Sequence, residues 1–577
     1  MSSLAELLTK RLHLPFDKSP KVPPIKSFFV SSTQLPKKHK FLLIAIIICG
    51  FLSVTTGLVL ASNKFLSVVP QKGGKISEGL VGTPRFINPL LATSDVDRDL
   101  VALVYSGLMR AGKYEHFEPD LAESYSISDD GKIYTFKLRN GLYWHDGSPV
   151  SAKDVVFTIL MAKDDRVKSP KRGIWDGVRA EAVDDQTVKI IIKNSYSPFL
   201  ENTTMGILPE HLWGNVRPEE FALHALNLRP VGTGPYKIKA VQNNSSGVPV
   251  SVNLSAFKEF ALGAPNINEV LLKFYDAEED LIADWRKDKS MAISGISTDT
   301  YGELKDEGFE IKTFELPRIF GIFFNQNSLA TLADKAIREA LAGTVPRDNI
   351  VMIAMGGLAK ATRSPLPQSD TPQGKIDSNI VLDKAGWQRG ADGVRVKKGM
   401  KLHLEISTSD SPELKKVAAI VSESWRMLGV ETVVKVYEPS DLNVNIIRPR
   451  KFEALLFGES LGHYPDPYAF WHSSQRLDPG LNIAQYTNSK ADAALEEIRT
   501  STEYLKHKRA SEAFLNEIAN DVPGVFLYSP MFAYLPTEGV KGLDIPFLGG
   551  PADRFNQVYK WYLETEKVWS IFINNKI

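Results

Sequence analysis

At 577 residues the chain is too long for one hydrophobic core, so two or three domains of ordinary size are expected. With 43% apolar and 24% charged residues it is not a disordered protein, and a single cysteine, Cys49, excludes a disulfide scaffold. The net charge of +1 hides an asymmetry: residues 1–40 carry eight Lys/Arg and two acids, which leaves the remainder at −5 and argues against a nucleic-acid-binding face.

The basic tail, 1–40, contains Pro15, Pro20, Pro23, Pro24 and Pro36, and apart from a short helix-like start at Leu4 to Leu12 it reads as disordered. Phe41 to Ala61 follows, 21 residues without a charge. At about 1.5 Å per residue it spans roughly 30 Å, the thickness of a bilayer core. Lys37, Lys38 and Lys40 stand before it, which places the N-terminus in the cytoplasm and the body outside. An uncleaved transmembrane anchor is the first reading. A signal peptide cleaved after Val59-Leu60-Ala61 is second, although the leading tail is long for one. Acylation of Cys49 is third, because bulky Ile48 precedes it.

From Gly73 strands and helices alternate. Ile76 to Val81 reads as a strand, and Ser94-Asp95 opens a helix with Val96, Leu100, Val104 and Leu108 on one face and Gly112 as its stop. Tyr125 to Leu138 is a hairpin turning at Asp130-Gly131. Between Asn140 and Phe157 a strand, a tight turn and a capped helix follow one another. Asn140-Gly141 and Asp146-Gly147 supply positive φ, and Ser151 with Asp154 makes a capping box. Thr187 to Ile192 is a further strand, and Leu332 to Ala342 is helical, ending before Pro346. Ser411-Pro412 starts a helix with Leu414, Val417, Val421 and Leu428 inward and Gly429 as stop. Glu431 to Tyr437 is the next strand, and 491–500 and 504–519 are amphipathic helices. The order is that of a mixed α/β protein with long crossovers and no internal repeat.

Catalytic spacings of the H-E-x-x-H and C-x-x-C types are absent, and His145-Asp146 has a turn glycine after it and no serine to pair with. Gly232-Thr-Gly-Pro-Tyr236 completes neither phosphate-binding fingerprint and reads as a structural turn. A binding protein, not an enzyme, and one without a cofactor, is expected.

A series of short motifs resembles the family 5 extracellular solute-binding proteins, the peptide receptors of bacterial ABC importers. In order they are Gly73-Gly74 with Asn88-Pro89-Leu90, Tyr105-Ser-Gly-Leu108, Leu121-Ala-Glu-Ser124, Asp129 through Arg139 and the Asn140–Phe157 stretch. Val231 through Lys237, Ala336 through Ala342, Pro346 through Ile350, Ala385-Gly-Trp387 and Asp466-Pro-Tyr-Ala-Phe470 complete it. The resemblance implies a two-lobed clamp of the periplasmic-binding-protein type (type II), with an extra subdomain in lobe I. Lobe I would comprise 73–117, 206–315 and 536–577, the subdomain 118–205, and lobe II 316–535. Crossings near Leu316-Pro-Arg-Ile-Phe320 and Tyr528-Ser-Pro530 would form the hinge. It also implies capture of an oligopeptide or similar small solute by closure, and delivery to ABC permease subunits with their ATPases, by a monomer tethered to the cell membrane. The alternative is a sensing or scavenging ectodomain without transport.

The segment Phe452 to Trp471 would line the cleft: a buried strand, Ala454 to Phe457, runs into a turn marked by Gly458 and Gly462. The candidate ligand contacts are Phe457, Glu459, Ser460, His463, Asp466, Tyr468 and Trp471, with Arg363 meeting a carboxylate. Against this, Tyr468 and Trp471 at helical spacing suit a core equally well, and Arg363 suits a solvated surface. Peptide-binding relatives hold the ligand's free amine with an aspartate three residues before an Asp/Glu-Pro pair. Here the pair is Asp466-Pro467 and His463 stands in that place, so the amine contact is in doubt. No second ligand at close spacing supports His463 as a metal site.

Overall fold

The computed structural model describes residues 36–569 apart from 113–115, 197, 368, 370–375, 464–465, 502 and 546–547. The short helix and disorder expected of the tail, 1–35, and the Tyr464-Pro465 pair of the cleft segment lie outside the described residues. The chain divides into two units, the second being Pro70–Glu564. In the first, Lys37–Phe65 is one continuous helix of 29 residues, longer at both ends than the uncharged run. Its window Lys37–Gly57 is long and apolar enough to cross a bilayer and is not buried by other parts of the protein. Leu66–Pro70 follows it and pairs with the C-terminal strand Thr565–Trp569.

The second unit is built on a twelve-stranded mixed sheet. Near one end Lys75–Val81 lies parallel between Glu269–Tyr275 and Ala292–Ser294. Near the other, Arg318–Phe324 lies antiparallel between Ala454–Ser460 and Gly524–Leu535, and His403–Ser409 runs parallel to Glu431–Tyr437. Gly524–Leu535 belongs to both halves. Its first residues pair with Arg318–Phe324 and its last with Lys312–Glu315 and Ala292–Ser294.

Alternation along these strands explains why both faces of the second half are covered. Ile322, Phe324, Leu456 and Val525 point into one core with Val417 and Trp425 of the Pro412–Leu428 helix. Ile319, Phe323, Leu455 and Phe526 point into another with Trp471 and Phe514. A strand buried on both faces needs an apolar run, and Ile-Phe-Gly-Ile-Phe-Phe supplies one. A separate core holds Leu100, Phe136, Trp144 and Trp561, and its small sheet pairs Ala122–Ile127, Ile133–Leu138, Thr187–Ile191 and Arg179–Ala182 in that order.

Local signals held where the chain itself satisfies them. The capping box at Ser151 is present, with its N–H on Asp154 at 2.8 Å, and Gly429 ends its helix at φ 96°. Three expectations are corrected. The Asp95 helix stops at Val104, because the Val104 carbonyl accepts from Gly234 N–H at 2.8 Å; Leu108 and Gly112 fall outside it, around a short strand, Met109–Ala111. Leu332 to Ala342 is two helices, Ala330–Ala333 and Lys335–Thr344, the second restarted by Asp334 capping Ala336 N–H. Gly458 is not a turn but lies inside Ala454–Ser460, and the turn comes at Gly462 with φ 75°.

Candidate functional site

The Gly232-Thr-Gly-Pro turn packs so closely on the end of the Asp95 helix that a Cβ at Gly232 would stand 1.9 Å from the Val104 carbonyl oxygen. That approach frees Tyr105 and Ser106 to line a cavity of about 440 Å³. Its walls come from distant parts of the second unit. Arg318 begins its strand in register with Ser460, the last residue of Ala454–Ser460, and both line the cavity. Lys171 and Asp120 contribute from the part expected to be the subdomain, and Asp553 and Asn556 from the C-terminal segment.

His463 sits at the centre of this junction. Its backbone N–H donates to Glu201 Oε1 at 2.9 Å, and its Nε2 lies 2.9 Å from Asp553 Oδ2. Its ring stands edge-on to Phe117 at 6.2 Å. Burial opposes charge on the imidazole, but Asp553 and then Glu201 outweigh it and raise its pKa. Burial likewise opposes the Asp553 carboxylate, yet His463 and the N–H groups of Gly550 and Gly549 hold its pKa low. Each partner thus favours the charged form of the other, against the burial that opposes both charges.

Four residues that line this cavity each carry a buried polar atom with no hydrogen-bond partner among the described residues: Tyr105 Oη, Arg110 Nε, Asp120 Oδ1 and Asn556 Nδ2. Burial pushes the Asp120 carboxyl up to about 7, against the opposing pull of Arg110, Ser106 and Arg139. Buried polar groups left unpaired are costly, and four of the residues around this cavity carry one.

The candidate contacts divide sharply. Ser460 and His463 line the cavity. Glu459 and Trp471 are corrected: they are 3% and 0% exposed, Trp471 within the core of Phe323, Phe514 and Phe526, and neither lines the cavity. Burial raises the Glu459 pKa well above the carboxylate range; the Trp471 indole N–H offsets this only in part and does not reach hydrogen-bond geometry. Phe457 is half-buried against the same core. Tyr468 lines a second cavity, of about 540 Å³, with Tyr196 and Arg499. There the Arg499 guanidinium lies 4.2 Å from the Tyr468 ring centre and 4.8 Å from that of Tyr196. Asp466 stands 3.5 Å from Arg499; burial raises its pKa and Arg499 opposes the rise. Arg363 lines neither cavity but a cramped space beside Arg347 and Phe526.

Lys171, Arg318, Asp553 and Asn556 carried no local signal of a site, since lone charges and amides in loops are unremarkable. Gly458-Glu459-Ser460-Leu461-Gly462 has the G-x-S-x-G spacing of a hydrolase elbow. The geometry is not that of an elbow. Ser460 ends an extended strand, and among the described residues no hydrogen bond joins its hydroxyl to His463. No group of three or more His, Cys, Asp or Glu able to hold a metal occurs among the described residues.

Residues 116–479 match the profile of the bacterial extracellular solute-binding proteins, family 5 middle. Over 515 residues the chain is 27% identical to the oligopeptide-binding protein AppA of Bacillus subtilis (strain 168), spanning 86% of this chain and 92% of that one. The solved structure of AppA in complex with a nonapeptide superposes with a TM-score of 0.66 at 26% identity, over 86% of this chain and all of that one. The ABC transporter substrate-binding protein CtaP of Listeria monocytogenes superposes at 0.72 with 25% identity, over 85% and 100%. NikZ of Campylobacter jejuni, solved with Ni(L-His), gives 0.65 with 26% identity, over 85% and 99%.

Proposed function

The chain belongs to the bacterial extracellular solute-binding proteins of family 5, and from that premise we propose that it captures oligopeptides outside the cell and hands them to an ABC importer. The observation that carries this is the cavity walled by Arg318 and Ser460 on one side and by Lys171 and Asn556 on the other, with His463–Asp553 across the junction. A solute held there touches both sides only when they are together, so it binds the closed form better and draws the population toward it. The complex of AppA with a nonapeptide supports a peptide as the cargo. Main-chain pairing and water-filled side-chain pockets give such a receptor affinity for many sequences.

The lobes divide as 73–117 with 206–315 and 536–577, then 118–205, then 316–535. The two segments that run between the sheet halves, Lys312–Phe324 and Gly524–Leu535, act as the hinge. The Lys37–Phe65 helix stays attached as a single-pass anchor, which holds the receptor beside its permease and ATPases as a monomer. Its continuity past Ala61 and the basic residues before it support retention over cleavage.

Thermal melting of the full chain in detergent tests the reading. Addition of peptides of three to nine residues raises the melting temperature by several degrees if they bind the folded state alone. A shift with nickel–histidine chelate and none with any peptide would overturn it. Mass spectrometry of the native N-terminus tests the anchor, and a mature start at Ser62 rules it out.

A further inference from the structure

Resting on the reading that this cavity holds a captured solute, we propose that it selects anionic peptides, those with carboxylate side chains, and that Lys171 and Arg318 decide the preference. Four strong bases line the cavity, Arg98, Arg110, Lys171 and Arg318, against two acids, Asp120 and Asp553. Pairing them off leaves a surplus of one sign. Arg98 lies 3.0 Å from Asp95, Arg110 2.6 Å from Glu118, and Asp553 2.9 Å from His463. Lys171 and Arg318 have no hydrogen bond or ion pair from their side chains among the described residues. Glu201 and Asp553 act on Lys171 only from beyond ion-pair distance, while burial and Arg98 disfavour its charge.

Asp120 is the acid left over, and its raised pKa of about 7 leaves it partly protonated at neutral pH, when it donates a hydrogen bond as readily as it accepts one. The unpaired buried atoms point the same way. Arg110 Nε and Asn556 Nδ2 are donors, and Tyr105 Oη donates as well as accepts. A cavity lined by unpaired cations, with orphaned donors on the residues around it, fits a ligand rich in acceptors and negative charge.

Calorimetric titration of the full chain in detergent with three pentapeptides separates the possibilities: Ala-Glu-Ala-Glu-Ala, its glutamine analogue and its lysine analogue. The glutamate peptide binds about tenfold or more tighter than the glutamine peptide, the value of one or two charge-assisted hydrogen bonds, and the lysine peptide binds weakest. Lys171→Gln and Arg318→Gln each lower affinity for the glutamate peptide about tenfold and change the glutamine peptide less than about twofold. Lys171→Arg and Arg318→Lys, which keep the charge, retain the order of preference, and all four variants melt with the parent. Equal binding of the three peptides, a preference for the neutral or basic one, or equal weakening of all three by the variants overturns the charge selection while leaving peptide capture intact. Binding of none of the three overturns both.

Discussion

His463 and Asp553, distant in sequence, meet at 2.9 Å and tie the turn after the Ala454–Ser460 strand to the short C-terminal helix Pro551–Phe555. Because Asp553 also caps that helix by accepting Gly550 N–H at 2.7 Å, the imidazole meets a carboxylate already fixed in place. An ion pair built between pre-positioned groups, largely screened from water, contributes where one on a mobile surface would not.

The first prediction is a dependence on pH. The folded-state pKa of His463 is raised above 6.5, so its contribution is complete below that value and fades as pH rises through the folded pKa. That of Asp553 is lowered below 3.8, so its contribution is present above that value and fades as pH falls through the folded pKa. His463→Gln therefore costs about 1–3 kcal/mol near pH 6 and progressively less at alkaline pH. Denaturant titrations of parent and variant at several pH values check this; a cost that does not change with pH removes the ion pair from the account.

Glu459 is a buried carboxyl with no hydrogen bond, and its raised pKa makes it a liability above pH 4.5. Glu459→Gln gains up to about 3 kcal/mol at pH 7, the cost of keeping an ordinary carboxyl protonated there. The gain vanishes as pH falls toward 4.5. Melting curves across that range would show parent and variant converging at the acid end, and a constant offset would contradict the assignment.

Arg499 lies over the rings of Tyr196 and Tyr468 and beside Asp466, in the second cavity, and so ties together segments far apart in the chain. Cation–π contacts of this kind contribute about 0.5–2 kcal/mol. Arg499→Ala shifts the population toward the open form and weakens every peptide about threefold to tenfold, without altering which is preferred. Small-angle scattering of the unliganded variant should give a larger radius of gyration than the parent.

Arg554 is wholly buried and bonds Glu78 and Asp99 through contacts of 2.7–3.0 Å, anchoring the C-terminal segment to the Lys75–Val81 strand and the Asp95 helix. Burial pushes the Asp99 carboxyl up to about 6 even with Arg554 opposing it. Arg554→Met leaves two buried carboxylates without their counter-charge and costs about 3–5 kcal/mol, read as a loss in urea midpoint. The loss is partly recovered in Arg554→Met with Glu78→Gln and Asp99→Asn.

What was legible in the sequence is whatever short stretches decide for themselves. The Ser151 capping box, the Asp130-Gly131 turn, the Gly429 stop and the apolar helix near the N-terminus each rest on interactions within a few residues. The ordered motifs likewise carried the family and its two-lobed α/β fold. Of the segment 452–471, Ser460 and His463 line the first cavity, at and just beyond the end of one buried strand.

The rest needed the folded chain. Trp471 and Tyr468 share one short helix and one kind of side chain, yet one is sealed in the core and the other faces a cavity. Only the packing of Phe323, Phe514 and Phe526 makes that choice. The partners Asp553, Asn556, Lys171 and Arg318 come from segments far apart in the chain, and the charge left over at the cavity is a sum over all of them. Local propensity acts over a turn or two of backbone, whereas burial and electrostatic balance depend on which distant segments meet. The sequence therefore determined the elements and their order, and the tertiary structure decided which side chains reach a solute.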